Sequence, residues 1–189
     1  MIDLPFITIL IILAVVVALF VIGIYNDLIS LKNRIKASIQ EIGNQLKRQT
    51  ELIPNLDQSA KAYLKHEKDI LKMLSDARKL VSEGKDASQK VSELLPKLQV
   101  IVESNPQMKG ADVIGKLMDE LRDTSDKVMY SRRTLIDLTA DYNIRLAAFP
   151  SNLVASAFGF QSEKGLETPM SGAHLSVSES ETKSPKISL

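Results

Sequence analysis

The sequence contains no cysteine and no tryptophan, and only two histidines in 189 residues. Without cysteine there is no disulfide framework, no Cys-ligated zinc or iron–sulfur site and no thiolate nucleophile. That composition fits a reducing compartment. His66 and His174 are too few to build a soft-metal site on their own. His66-Glu67 begins a metalloprotease-like pattern, but Ile70 stands where the second histidine would be needed. Charge of one sign is lacking too: 24 Lys+Arg face 23 Asp+Glu, for a formal net charge of +1. A sequence-independent nucleic-acid binder needs a basic excess to displace counterions, so nucleic acid is not an expected partner. Phosphate-binding glycine loops, dinucleotide fingerprints and nucleophile elbows do not occur. Asp69, Asp76, Asp119, Glu120 and Asp123 lie on polar faces and read as solvated surface, and Met73, Met108, Met118 and Met129 read as packing residues. The expectation is a chain with no catalytic residues, cofactor, metal or small-molecule substrate, and no enzymatic activity.

What is present begins with a membrane segment. Leu4 to Tyr25 carries no charge; as a helix these about 22 residues extend roughly 33 Å, against about 30 Å of bilayer hydrocarbon. Asp3 can cap this helix, and Pro5 falls in its first turn, where a missing N–H costs little. A cleaved signal peptide is the competing reading, but no Lys or Arg precedes the run and it exceeds an ordinary h-region in length. Lys32, Arg34 and Lys36 follow it closely, which places the bulk of the chain in the cytoplasm as a single-pass cell-membrane protein.

The rest reads as helices. Leu28, Leu31, Ile35, Ile39, Ile42 and Leu46 recur at steps of 3 and 4, so a first helix continues the anchor and ends near Gln49–Ile53, with Pro54 opening the next. The second carries Ile53, Leu56, Ala60, Tyr63, Glu67, Ile70, Leu74, Ala77 and Val81, a heptad-like seam of coiled-coil type, stopped by Gly84. Asp86 and Gln89 resemble a capping box for a third helix bearing Leu94, Leu95, Leu98, Ile101 and Val102, which Pro96 should kink or delay. After a turn at Asn105–Gly110, a fourth helix spans about Ala111–Ala148 with Ile114, Leu117, Leu121, Val128, Leu135, Leu138 and Tyr142 on one face, and Pro150 ends it. This pattern predicts an all-α chain: an anchor over 1–25, an antiparallel up-and-down four-helix bundle over 26–150, a short apolar segment over 151–160 and a disordered tail over 161–189.

Two residue constellations follow from that layout. If the fourth helix descends to the bilayer, Tyr142-Asn143 comes near the level of Tyr25-Asn26, and Leu153, Val154, Phe158 and Phe160 lie at the membrane interface, unless they merely cap the bundle end. If the second and fourth helices both end at the membrane, Glu67 lies level with Arg132 and Arg133. An inward carboxylate there needs a partner, so the expectation is a structural polar layer of Glu67, Arg132 or Arg133, and Gln45 with Glu41.

Short blocks along the chain also resemble a known family. They are Tyr25-Asn26, Leu28, Leu31 and Asn33; Gln45-Leu46-Lys47-Arg48; Leu52-Ile53-Pro54-Asn55-Leu56; Tyr63 and His66-Glu67; Ala77-Arg78; Arg132-Arg133; Asp141-Tyr142-Asn143; Phe149-Pro150-Ser151-Asn152-Leu153-Val154; and Phe158-Gly159-Phe160. In this order they resemble the bacterial LemA family over about residues 1–160. Departures from the family pattern occur at Ser38, Gly43, Gln49, Asn105 and Leu135-Ile136. The resemblance implies a single-pass membrane protein with a four-helix bundle and no established enzymatic activity, and a related branch acts in magnetosome membrane formation. Two functions are therefore expected: a membrane-anchored scaffold organising membrane or envelope complexes by self-association, or an accessory subunit of a membrane protease or transporter. The partners are the membrane and other membrane proteins or a second copy of the chain, a homo-oligomer.

Overall fold

Helix α1 (Leu4–Ala60) runs for 57 residues without a break, joining the apolar segment to two stretches that the sequence reads as separate helices. The structure is a computed structural model and describes residues 4–64, 67–109 and 112–166. After α1 come α2 (Lys68–Ser82), α3 (Ser88–Ser104), the single turn α4 (Pro106–Lys109), α5 (Asp112–Ala147) and α6 (Ser151–Ala157). Among the described residues all regular structure is helical. One helix there, α1, is long and apolar enough to cross a membrane, with a window of mean hydropathy 3.4 that is not buried inside the molecule. Exposure of every side of that window separates it from the core helix of a soluble fold.

Pro54 does not open a new helix, because it lies inside α1. A proline in a helix interior costs about 3 kcal/mol. The same stretch buries Leu52, Ile53 and Leu56, each contributing about 1.5–3 kcal/mol, so packing outweighs the lost hydrogen bond. The chain reverses later. Tyr63 N and Leu64 N both donate to Ala60 O, at 3.0 and 3.1 Å, and Glu67 N donates to Leu64 O at 2.8 Å. Leu64 takes the buried place at this turn while Tyr63 and Glu67 face solvent. The periodic seam thus crosses a chain reversal that no glycine or proline announces. Pro96 likewise lies within an uninterrupted α3, on its exposed side, where water can satisfy the carbonyl left free.

Two hydrophobic cores divide the molecule. The upper one gathers Leu52–Ala60 of α1, Ile70, Leu74 and Ala77 of α2, Val91, Leu94 and Leu98 of α3, Met108 of α4, and Ile114, Met118 and Leu121 of α5. The lower one holds Leu28, Leu31 and Ile35 of α1 against Leu135, Leu138 and Tyr142 of α5, with Ala155 of α6. Asp27 pairs with Arg145 and Arg48 with Glu120, so residue numbers rise along α1 as they fall along α5. Helices α2 and α3 contribute only to the upper core. The 15 residues of α2 rise about 22 Å, too short to follow α5 to its end. The molecule is a head of α1–α5 carried on a stalk of α1 and α5. From Tyr25 to Gln49 the stalk measures about 36 Å.

Gly84 closes α2 with φ +68°. Its N–H bonds Val81 O at 3.1 Å and Lys85 N bonds Leu80 O at 2.8 Å, the paired bonds of a Schellman turn that a side chain would strain. At the start of α3, Asp86 Oδ1 accepts from Ser88 N at 2.8 Å. Gln89 turns to Glu93, so the expected capping box is replaced by an Asx turn from Asp86 to Ser88. Asn105 Oδ1 accepts from Gln107 N and Met108 N at 3.0 and 3.3 Å, which makes α4 a capped helical turn within the turn expected at Asn105–Gly110.

Candidate functional site

Three places on the stalk and head carry polar or aromatic groups in specific geometry. At the stalk base, the ring of Tyr25 meets Phe158 at 4.9 Å and Phe160 at 5.5 Å between centroids. The chain arrives there through a cis Phe149-Pro150 bond and α6, and Gly159, at φ +71°, folds Phe160 back onto α1. Phe149, Leu153 and Phe158 stay exposed around this collar, whereas Val154 and Ala155 turn into the molecule. Asn26 is exposed at the same level. Tyr142 is buried against Leu28, about one turn above the Asp27–Arg145 pair. Burial raises its phenol above the ordinary value, and Glu163 adds to that while Lys32 opposes it.

Residues 161–166 are not free tail. Tyr142 Oη donates to Gln161 O at 3.1 Å, and the Asn143 side chain makes two bonds with the Glu163 backbone, at 2.9 and 3.1 Å. The Glu163 carboxylate also meets Lys32 Nζ at 3.3 Å. The amide of Asn143 mimics a strand partner here, a role that sequence spacing does not reveal. The remainder of the expected disordered tail, from 167 on, lies outside the described residues.

A polar floor separates the two cores. Gln49, fully buried, donates from Nε2 to Ser125 Oγ at 3.2 Å and accepts from Ser88 Oγ at 3.5 Å. Thr124, next to Ser125 in sequence, is buried as well. At its edge Asp86 pairs with Arg132. The expected layer of Glu67, Arg132, Arg133 and Gln45 is therefore corrected. Glu67 sits in the distal turn and is exposed, Arg132 binds Asp86, Arg133 is exposed, and Gln45 bonds Glu41 one turn away at 2.7 Å. The shortness of α2 is the physical reason: Val81 ends at mid-height, so Glu67 and Arg132 stand at different levels. His66 lies outside the described residues, and among those described no cluster of His, Cys, Asp or Glu is suited to a metal ion.

The head holds one more buried charge. Asp57 is 1% exposed and its Oδ2 receives Lys61 Nζ at 2.8 Å and Arg78 Nη1 at 3.0 Å. Its place on the Ile53–Ala60 seam is the sequence signal that could have found it.

The floor gives a pH-dependent expectation. Burial pushes the Asp86 carboxyl up, but the Ser88 N–H and the Arg132 guanidinium outweigh it and hold the group below its ordinary value. A carboxylate depressed in the folded state stabilises above its unfolded pKa of about 3.9 and loses that contribution as pH falls through the folded value. The stability difference between the native chain and Asp86→Asn is expected to stay constant from about pH 7 to 5 and shrink below about pH 4. Thermal unfolding across that range measures it, and a difference that grows on acidification would contradict the assignment.

Residues 38–179 match the model of the LemA family, and no curated protein is significantly similar to the chain.

Proposed function

The chain belongs to the LemA family, and from that premise we propose that it is a membrane-anchored scaffold whose stalks self-associate. The opposed numbering of α1 and α5 and the α2–α3 hairpin support reading the head as an antiparallel up-and-down four-helix bundle. Phe149, Leu153 and Phe158, exposed beside the end of the apolar segment, suit the interfacial region of the bilayer. The reading assigns the chain no reaction of its own.

The observation that carries it lies on α5. Met129, Ile136 and Ile144 are 67%, 48% and 63% exposed, and with Ala140 and Ala147 they form one stripe at helical spacing on the side away from α1. The sequence reads Met129 as a packing residue, but within one chain two thirds of its surface stays exposed. Copies anchored in one bilayer rise in parallel, so identical stripes meet at equal height about a two-fold axis. Arg133 on the stripe and Asp137 at its edge then pair across the seam in the manner of coiled-coil flanking charges.

The full chain solubilised in mild detergent is expected to have the mass of a defined oligomer. Ile136→Asp with Ile144→Asp should reduce it to a monomer of unchanged helicity. A native monomer accompanied by one membrane protease or transporter would favour the accessory-subunit reading instead.

Lys32, Arg34 and Lys36 directly after the span support a cytoplasmic head. Because the chain has no cysteine, Val100→Cys on the exposed side of α3 gives a single label site. An impermeant maleimide is expected to leave it unmodified in right-side-out vesicles and modify it once they are opened. Labelling in sealed vesicles would reverse the topology.

A further inference from the structure

The membrane segment is bare until the chain returns to it. From Phe6 to Phe20 every residue of α1 is exposed, and Val21 is the first to be partly covered. Val21 lies about 6 Å below Tyr25. Counted by helix rise from the Asp27–Arg145 pair, α5 reaches the level of Tyr25 at its last residue, Ala147. The chain that continues from there is a foot, residues 148–160, whose helix α6 packs on α1. Between Arg145 and Glu163 the sequence carries no charge. Arg145 pairs with Asp27 and Glu163 with Lys32, so the charges that flank the foot stand on its head side. The foot also closes its own backbone. Asn152 N donates to Ala148 O at 2.8 Å, Leu153 N to Pro150 O at 3.2 Å, Phe158 N to Val154 O at 3.0 Å and Phe160 N to Ala155 O at 2.9 Å. Pro150 has no N–H to place. Ser151 Oγ lies 2.5 Å from Arg145 O and 2.9 Å from Ala148 O, where its one hydrogen caps the open end of α5. Around this closed backbone Phe149, Leu153 and Phe158 stay 79%, 61% and 58% exposed.

We propose that the foot is a second membrane-embedded element, in which Phe149, Leu153 and Phe158 pass the headgroups and rest among the upper acyl chains of the leaflet that α1 leaves. The occupant of this apolar surface is lipid, because the surface is continuous with the exposed span. Phe158 meets Tyr25 at 4.9 Å between ring centroids, and the cover on Val21 puts the foot about one turn inside the uncharged run. That depth of about 6 Å agrees with the 5–10 Å or so to which amphipathic segments enter the boundary between headgroups and acyl chains. A chain among acyl chains can carry neither charges nor open backbone groups at low cost, and the foot is built to that rule. In water its surface would be three large apolar side chains with nothing to cover them. The proposal deepens the membrane-anchored part of the proposed function and rests on α1 as the span, but it does not depend on self-association. A single span leaves the stalk free to turn and tilt about α1. A second attachment beside it fixes which way α5 faces.

Because the chain has no tryptophan, one introduced indole reports the depth of the foot. Phe158→Trp keeps an aromatic ring against Tyr25, and Leu153→Trp replaces a side chain that is already mostly exposed, so the two variants check each other. Val100→Trp, on the exposed side of α3, is the reference in the head. Each full-length variant is placed in phospholipid vesicles, floated after an alkaline wash, and compared with the same vesicles brominated on the acyl chains near the glycerol. Both foot variants are expected to emit to the blue of Val100→Trp and to lose at least about half of their intensity in brominated vesicles, as contact at the depth of an interfacial segment requires. Val100→Trp should be the same in both. Foot emission that matches Val100→Trp in floated vesicles would overturn the proposal and leave the span standing. Blue emission that brominated lipid does not quench would overturn it too, because protein and not lipid would then cover the foot. A chain that fails to float would overturn the span reading and the foot with it.

Discussion

Replacing both Lys61 and Arg78 with methionine is expected to cost about 3–5 kcal/mol of stability, because it strips a buried carboxylate of its cations. Asp57 is almost fully enclosed in the head, and both cations reach the same oxygen, Oδ2, while Oδ1 is buried with no hydrogen-bond partner. The two cations are themselves about half exposed, so little of the loss comes from their own burial. The effect is the desolvated charge left behind. Adding Asp57→Leu to the pair should recover most of the loss, since an apolar group of similar size suits the Ile53–Leu56 surroundings. Chemical or thermal unfolding of the three variants decides it. A loss below about 0.5 kcal/mol, the scatter of independent sites, would mean that Asp57 is not held as a charge.

The second large effect concerns the anchor. Arginine at both Leu13 and Val16, near the middle of the apolar segment, is expected to cost about 5–7 kcal/mol of insertion, from about 2.5–3.5 kcal/mol for each central charge. The native chain should stay with membranes after alkaline extraction and the variant should appear in the soluble fraction. A variant that still resists extraction would show that the segment is not the anchor, and that the exposed stalk base alone holds the chain to lipid.

Much of this architecture is legible in the residues. The uncharged run from Leu4 to Tyr25, the stripe from Ile114 to Tyr142 and the stop at Gly84 each follow from a local rule, and α5 (Asp112–Ala147) lies within a residue of the predicted span at each end. What periodicity cannot report is where a chain reverses when the apolar phase continues through the turn. Ile53, Leu56 and Ala60 keep step with Ile70, Leu74 and Ala77 across residues 61–67, so the seam reads as one helix. Pro54 then marks a boundary that packing overrides. The error in height follows from that one, and it misplaces Glu67 opposite Arg132. The polar floor stays hidden for a different reason: Gln49, Ser88 and Ser125 are ordinary surface residues by type, and only the closing of the head over them makes them buried. The strap at 161–166 has the composition of a tail, yet backbone bonds to Asn143 and Tyr142 hold it, and backbone groups are alike in every sequence.

Self-association through α5 is tested most directly in the membrane itself. With Ile136→Cys as the only thiol in the full chain, mild oxidation of intact membranes is expected to give a covalent dimer in high yield, while Lys47→Cys, on the exposed polar side of α1, remains monomeric. If Ile136→Cys stays monomeric under the same oxidation and photo-crosslinks from that position instead capture a different membrane protein, the scaffold reading is wrong and the stalk serves a foreign partner.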